Sequence, residues 1–331
     1  MLYRQALPLL LLLLPTLAAC AAKGASGCVV GSDCPSGVCN TDGTCGEAST
    51  ATATSSATGT GTGSGGAGGA SVGATSSTGS GSSGSATGGS GGSAGPCSPP
   101  NNDGVITQEE VPLAAGLHAN FSAAASVPVD TVGKVQADGS HIWDLSPMIT
   151  GQKDELVETL PIAGKWFAAT FPGATYASRL SSTADLLGVF EVATGALLLR
   201  GVVSPTDGAM ATSLVYTTPI KVLSFPIKAG ATWTTSSQIT GKAQGTTIAV
   251  FYADTYDSTV DAHGTMKTPF ATFPVLRIQV NRLSNLGGLF TKSHRFVFVT
   301  ECFGTVATMV SKDNETVDEF TTAAEVSRLA P

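Results

Sequence analysis

From about residue 97 to the C-terminus, apolar and polar side chains alternate with a period of two, and Gly, Pro, Asn and Asp interrupt the pattern at intervals. Leu276, Arg277, Ile278, Gln279, Val280 and Asn281 place an apolar residue at every second position, which predicts a strand with one wet face. The run Phe296, Val297, Phe298, Val299 is apolar on both faces and predicts a central strand between layers. Further strands are predicted over 188–193, 197–203, 220–225, 232–240, 246–256 and 305–310. Turn signals separate them at Pro205, Asp207 and Gly208, at Ala229 and Gly230, and at Asp261, Ala262, His263 and Gly264. Helix signals are scarce. Two capping boxes, Thr107 with Glu110 and Thr322 with Glu325 ahead of Val326 and Leu329, each predict a short helix. Many short strands at regular spacing predict an all-β fold over 97–331, a single β-sandwich or partly open antiparallel barrel with one or two short helices, following a disordered linker.

The first residues follow another pattern. Arg4 precedes an apolar run from Ala6 to Leu14. A run of about nine residues is too short for a hydrocarbon core of about 30 Å and predicts a signal peptide over 1–19. Leu17, Ala18, Ala19 and Cys20 then resemble the lipobox of bacterial lipoproteins. The resemblance implies that Cys20 carries thioether-linked diacylglycerol and an amide-linked acyl chain, with 20–27 as the lipidated N-terminus. At ~0.8 kcal/mol per buried methylene, several chains hold a protein at a bilayer far longer than one. A membrane is thus the expected partner and the cell envelope the expected location. Ala21, Ala22 and Lys23 follow Cys20 with no Asp; in the enteric sorting scheme this implies the outer membrane and leaves the leaflet open.

The segment 46–96 is almost wholly Gly, Ser, Thr and Ala, with Glu47 as its one charge and no aromatic residue. It cannot bury enough apolar surface to offset chain entropy and is expected to be a disordered linker. As a Gly/Ser coil of about fifty residues it has a root-mean-square reach of ~40 Å. Its hydroxyls are candidate acceptors for O-linked sugars.

Of the seven cysteines, Cys20 is reserved for lipid, which leaves an even six. In an exported chain that parity favours disulfides. Cys28, Cys34, Cys39 and Cys45 crowd a stretch too small and polar to build a core, so 28–45 is expected to be a disulfide-rich module. The rival is a zinc site, but the spacing C-x5-C-x4-C-x5-C lacks the close pairs of metal knuckles. The stretch resembles the short cysteine-rich modules that follow the lipidated cysteine in myxobacterial surface lipoproteins, which implies export and habitat but no activity. Cys97 and Cys302 remain, and parity pairs them; closing so long a loop stabilises a fold by up to ~5 kcal/mol on the chain-entropy model.

Net charge is −7 and the pI about 5.0, with no basic patch, so nucleic acid is not an expected partner. Charged residues make up 12% of the chain against about 25% in average proteins, so its surface leans on Ser, Thr and Gly. Residues 101–110 resemble the second part of an EF-hand or dockerin-type calcium loop. The resemblance implies as ligands Asn101, Asp103, the Val105 carbonyl, Thr107 through water and bidentate Glu110, with Ile106 as the hydrophobic position. Pro99 stands where the first ligand, an Asp, is expected, which argues for weak calcium binding or a plain turn leading into a capped helical turn.

Asp254, Asp257 and Asp261 form a second acidic group, readable as a cation site or a solvated strand face. The histidines His118, His141, His263 and His294 are scattered, in no metal-binding spacing. Trp143, Trp166 and Trp233 are candidates for a ligand groove but more commonly anchor a core. No P-loop, dinucleotide fingerprint or nucleophile elbow lies in the ordered part. Residues 264–277 resemble a hairpin of bacterial envelope β domains, including lipoprotein-carrier-like half-barrels, which implies a curved sheet. The expectation is a non-enzymatic binding domain for an apolar ligand or another envelope component. An extracytoplasmic hydrolase with a spatially assembled site and a structural or adhesive element stand behind it.

Overall fold

The structure, a computed structural model, describes residues 100–331 apart from Ala249. The expected signal peptide, lipidated Cys20, disulfide-rich module 28–45, linker 46–96 and Cys97 lie outside the described residues. The described chain runs through β1 (Val105–Ile106), β2 (His118–Pro128), β3 (Lys134–Val135), β4 (His141–Asp144), β5 (Lys153–Glu158), β6 (Leu160–Pro161), β7 (Tyr176–Arg179), β8 (Leu187–Ala193) and β9 (Ala196–Val203). It continues through β10 (Ser213–Ser224), β11 (Ile227–Lys228), β12 (Thr232–Ala243), β13 (Thr246–Thr247), β14 (Tyr252–Lys267), β15 (Thr272–Leu286), β16 (Leu289–Thr300), β17 (Gly304–Ser311) and β18 (Thr322–Leu329). The only helical elements among the described residues are single 3-10 turns at Gln108–Glu110 and Ala168–Thr170. The domain is all-β, as expected.

One large sheet carries the order β5-β2-β18-β17-β16-β15-β14-β12-β10-β9-β8-β7-β6, antiparallel throughout. Its two ends, β5 and β6, are separated only by Thr159, so the sheet curls into a nearly closed barrel. Paired residues share a face, so register assigns every strand an inner and an outer row. Ile278 on β15 pairs with Val260 and Val297, and its inner row packs with Tyr176, Leu197, Leu223, Trp233 and Val299. Ile106 and Val111, from the segment before β2, join this cluster and plug one pole of the barrel. Gln108 fixes the plug: its side chain donates to the Ala193 carbonyl and accepts from the Gly195 N–H.

The outer face needs a cover of its own. Phe296, Phe298, Met309, Val326 and Phe273 are buried beneath Trp143, Phe320 and the chain on either side of β4. β4 joins β14 in parallel at Gly264, where a Cβ would collide with the His141 carbonyl oxygen. Arg277 lies in this layer. Its guanidinium forks onto Asp261 (3.0 and 2.7 Å), reaches Glu319 (2.7 Å) and donates to the Thr131 carbonyl (2.6 Å). It also sits 4.3 Å over the Phe296 ring.

The structure departs from several local expectations. The polar row of β15 is not wet, because Arg277 is 4% exposed and Asn281 bonds the buried His294. Thr322–Glu325 opens no helix, since β18 pairs with β17 on one side and β2 on the other and that pairing overrides a local capping signal. The signal at Asp261–Gly264 is no turn but a bulge inside β14, between Val260 and Ala262. The single strand expected over 246–256 is divided between β13 and β14. The Thr107–Glu110 pair does close a turn, in 3-10 form: the Thr107 N–H donates to the Glu110 carboxylate at 2.7 Å. The hairpin expected over 264–277 is present as the β14–β15 turn.

Removing the arginine while keeping its bulk should expose the cost of this outer layer. Arg277→Met leaves Asp261 and Glu319 facing each other without their cation and is expected to lower stability by about 3 kcal/mol in urea denaturation. Asp261→Asn with Glu319→Gln in the same variant should recover part of that loss.

Candidate functional site

Beyond the apolar girdle formed by Val260 and Ile278, the inner face turns polar towards the pole opposite the plug. Asp254 on β14 is 0% exposed and takes four donors on one oxygen, Oδ2. Arg282 supplies two, from Nη2 (2.8 Å) and Nε (3.1 Å), and the hydroxyls of Tyr256 (3.3 Å) and Tyr216 (3.4 Å) supply the others. Oδ1 is buried with no partner. Arg282 also donates to the Tyr252 hydroxyl at 3.3 Å. Burial raises the pKa of all three tyrosines and so keeps them neutral donors. Burial works against the charged form of Arg282, but Tyr256 and Asp254 overcome it and hold its pKa well above the ordinary value.

Arg295 on β16 lies diagonally beside Arg282: Arg282 pairs with Ser293, and Arg295 with Val280 and Val310. It is exposed, and among the described residues its guanidinium has no hydrogen-bond or ion-pair partner. Its pKa is lowered, first by surrounding protein and then by Arg282, while Tyr256 and Glu325 oppose the shift. An arginine stays charged through such shifts. Val280, Val297 and Val310 beside it are only half-buried.

Glu325 on β18 closes the row. It accepts from the Ser181 hydroxyl, the Ser182 N–H (3.1 Å) and the Thr183 hydroxyl (3.3 Å), which ties the β7–β8 loop across the interior. Glu155 on β5 has its pKa raised by burial and by Glu325, with Arg179 pulling the other way. The site therefore presents a free cation beside a saturated one, within a wall that is part apolar.

The candidates singled out from the sequence are mostly structural. Asp254, Asp257 and Asp261 do not converge: Asp254 faces inward, Asp257 accepts from the exposed Thr234 hydroxyl (2.7 Å), and Asp261 serves Arg277. Trp143 and Trp233 are buried core, and Trp166 packs against a cluster around Phe167 and Phe171. His118 is exposed, His141 stacks on Trp143, and His294 is buried against Asn281.

His263 shares a cleft of about 300 Å³ with Ser140, Thr300 and Glu301. The Ser140 hydroxyl donates to Asp138 (2.7 Å) rather than to His263, so no nucleophile and base are paired there. A second cleft, of about 480 Å³, is lined by Gln108, Glu109, Leu113 and Thr194, and its one charge is the exposed Glu109 carboxylate.

In the loop 101–110 the Asp103 N–H donates to Asn101 (3.0 Å), the Val105 N–H to Asp103 (2.8 Å) and the Asn101 amide to Glu110 (3.0 Å). The expected ligands Asn101, Asp103, Thr107 and Glu110 thus form one self-bonded turn. Among the described residues no group of three or more His, Cys, Asp or Glu gathers around one point. Glu301 anchors the start of this turn through the Asn101 N–H (2.7 Å) and the Asn102 N–H (3.1 Å). Next to it, the Cys302 N–H donates to the Glu110 carbonyl at 2.7 Å.

No family model, curated protein or solved structure matches the chain. Sequence reasoning missed Arg282 and Arg295, although a signal was present. Arg295 continues the row of Val297 and Val299, and Arg282 the row of Ile278 and Val280. A cation on the apolar row of a strand is the mark of an interior charge.

Asp254→Ala strands Arg282 without its carboxylate. Because Arg282 keeps 33% side-chain exposure, the expected loss is about 2 kcal/mol, read by urea denaturation. Asp254→Leu combined with Arg282→Met should regain most of it.

Proposed function

We propose that this chain is a lipid-anchored protein of the cell envelope whose barrel binds an anionic amphiphile at its open pole. The observation that carries the reading is Arg295, a solvent-accessible cation on the inner face with no protein partner among the described residues, flanked by half-buried valines. An exposed arginine with no carboxylate bonded to it is free to take a ligand, and charge-assisted bonds to carboxylate or phosphate are the strong ones. Val280, Val297 and Val310 offer apolar surface next to that charge, so head and chain of an amphiphile find complementary walls.

The anchor rests on the lipobox at Cys20, with the outer membrane as the proposed site and the 46–96 segment as a tether. The Cys97–Cys302 bridge belongs to the same proposal. Its support is that Glu301 holds the backbone of Asn101 beside Cys302, only four residues after Cys97. The extracytoplasmic location predicts that radiolabelled palmitate enters the protein in its host and that Cys20→Ser abolishes incorporation. A non-reduced digest should contain a peptide joining Cys97 to Cys302, lost on reduction.

The ligand reading is tested with cis-parinarate, a fluorescent fatty carboxylate, titrated into the full chain. Saturable binding is expected, competed by oleate and far less by oleyl alcohol. Arg295→Gln should weaken it at least tenfold, in line with the ~1.5–3 kcal/mol of a charge-assisted bond, and leave thermal unfolding unchanged. Equal affinity in Arg295→Gln, or no saturable binding in the unaltered chain, would sink the reading.

A further inference from the structure

The open pole carries a second feature. The β15–β16 hairpin ends in Gly287 and Gly288, both at positive φ (57° and 90°), a tight turn that glycine adopts without strain. Behind it Leu289 and Phe290 are 66% and 61% exposed, and Leu283 is 44% exposed. The chain before β14 lies alongside: the Gly287 N–H donates to the Phe251 carbonyl at 2.6 Å, and Val250 and Phe251 are themselves 55% and 52% exposed. Five large apolar side chains thus share one protruding tip. The turn is fixed from within by the Asn285 side chain, which accepts from the Gly288 N–H at 2.9 Å.

Neither stretch of the tip, 246–253 or 283–293, contains an Asp or Glu, although the whole chain is acidic at −7. Its one charge is Lys292, directly opposite Leu283. A convex apolar turn with a lysine at its base suits a bilayer interface better than a flat protein partner, because the turn inserts and the lysine meets phosphate.

The geometry of attachment agrees. The chain enters the domain at Asn102, in a cleft lined by Leu276 and Glu301. Ten residues of β15 separate Leu276 from Leu286, about 33 Å at strand rise. The proposed tether, with ~40 Å of root-mean-square reach over about fifty residues, is long enough to let the domain turn its far pole to the membrane.

We infer that Val250, Phe251, Leu283, Leu289 and Phe290 form a membrane-docking tip that seats the open pole of the barrel on the bilayer surface. The inference rests on the lipid-anchor reading for its local concentration of membrane, yet the tip itself is testable without acyl chains. Docking there brings Arg295 and the half-buried valines to the interface from which an amphiphile would enter.

The test uses the mature chain 20–331 as Cys20→Ser carrying Phe290→Trp, mixed with vesicles of phosphatidylcholine and phosphatidylglycerol at three to one. The native tryptophans serve as a background measured on the same chain without Phe290→Trp. A blue shift of the added fluorescence and its quenching by bromine on the lipid tails are expected. Leu289→Asp with Phe251→Asp should lower vesicle partitioning at least tenfold, whereas Phe270→Asp, on an exposed phenylalanine of the β14–β15 turn, should not. Phe251→Trp is a second reporter should Phe290→Trp misfold. The acylated chain in proteoliposomes gives a second arm, which reads the tip when it is already tethered. Quenching in either arm supports docking; none in both overturns it. Failure of palmitate labelling would remove the anchor and leave the first arm's result standing.

Discussion

Curling one antiparallel sheet nearly shut gives each strand an inside and an outside, and without long helices the chain must cover both with strand and loop. The inner row solves this by mutual contact: Ile278, Val260, Trp233 and Leu197 meet across the barrel, and Ile106 and Val111 fill its floor. The outer row has no opposing sheet. It is covered by the extended chain around β4, pinned through Thr131, whose carbonyl accepts from both Trp143 and Arg277. A buried guanidinium there is not an extravagance, because every one of its donors is directed at a carboxylate or that carbonyl, and it doubles as a flat surface for Phe296.

The polar half of the interior follows from the same geometry. With girdle and floor already dry, the remaining inner positions lie near the open pole, where water penetrates and charge is tolerable. Arg282 is neutralised by Asp254, whose free oxygen and four donors on the other make a lopsided, strongly polar spot. Arg295 is left to solvent. The domain thus sorts itself along its axis, from a sealed apolar end to a wet cationic one.

Much of this was legible in the residues. Period-two alternation identified the class and most strands, because strand periodicity is a local property that burial on at least one face imposes. What alternation could not reveal was the second cover. Arg277, Gln279 and Asn281 look like a solvated row until segments more than a hundred residues away in sequence are laid over them. Thr322–Glu325 misled for a kindred reason: a capping box is a local preference of about 1 kcal/mol, and two full ladders of hydrogen bonds to β17 and β2 outweigh it. The carboxylates at Asp254, Asp257 and Asp261 looked like a cluster because they are close in sequence, whereas a bulge and the strand pleat send them to three environments. The interior site was missed because its members come from β10, β14, β15 and β16, and only register brings them together.

The ladder between β2 and β18 joins Phe121 to Leu329, and the Asn120 side chain reaches the carbonyl of Pro331. β2 pairs with β5 along one edge, and its other edge stays unmatched until β18 arrives. A topology with so many distant pairings folds slowly, and the open edge of β2 is the surface on which a second unfinished copy could pair by mistake. Keeping that edge away from other unfinished copies until β18 has been made is the burden this order of strands places on synthesis.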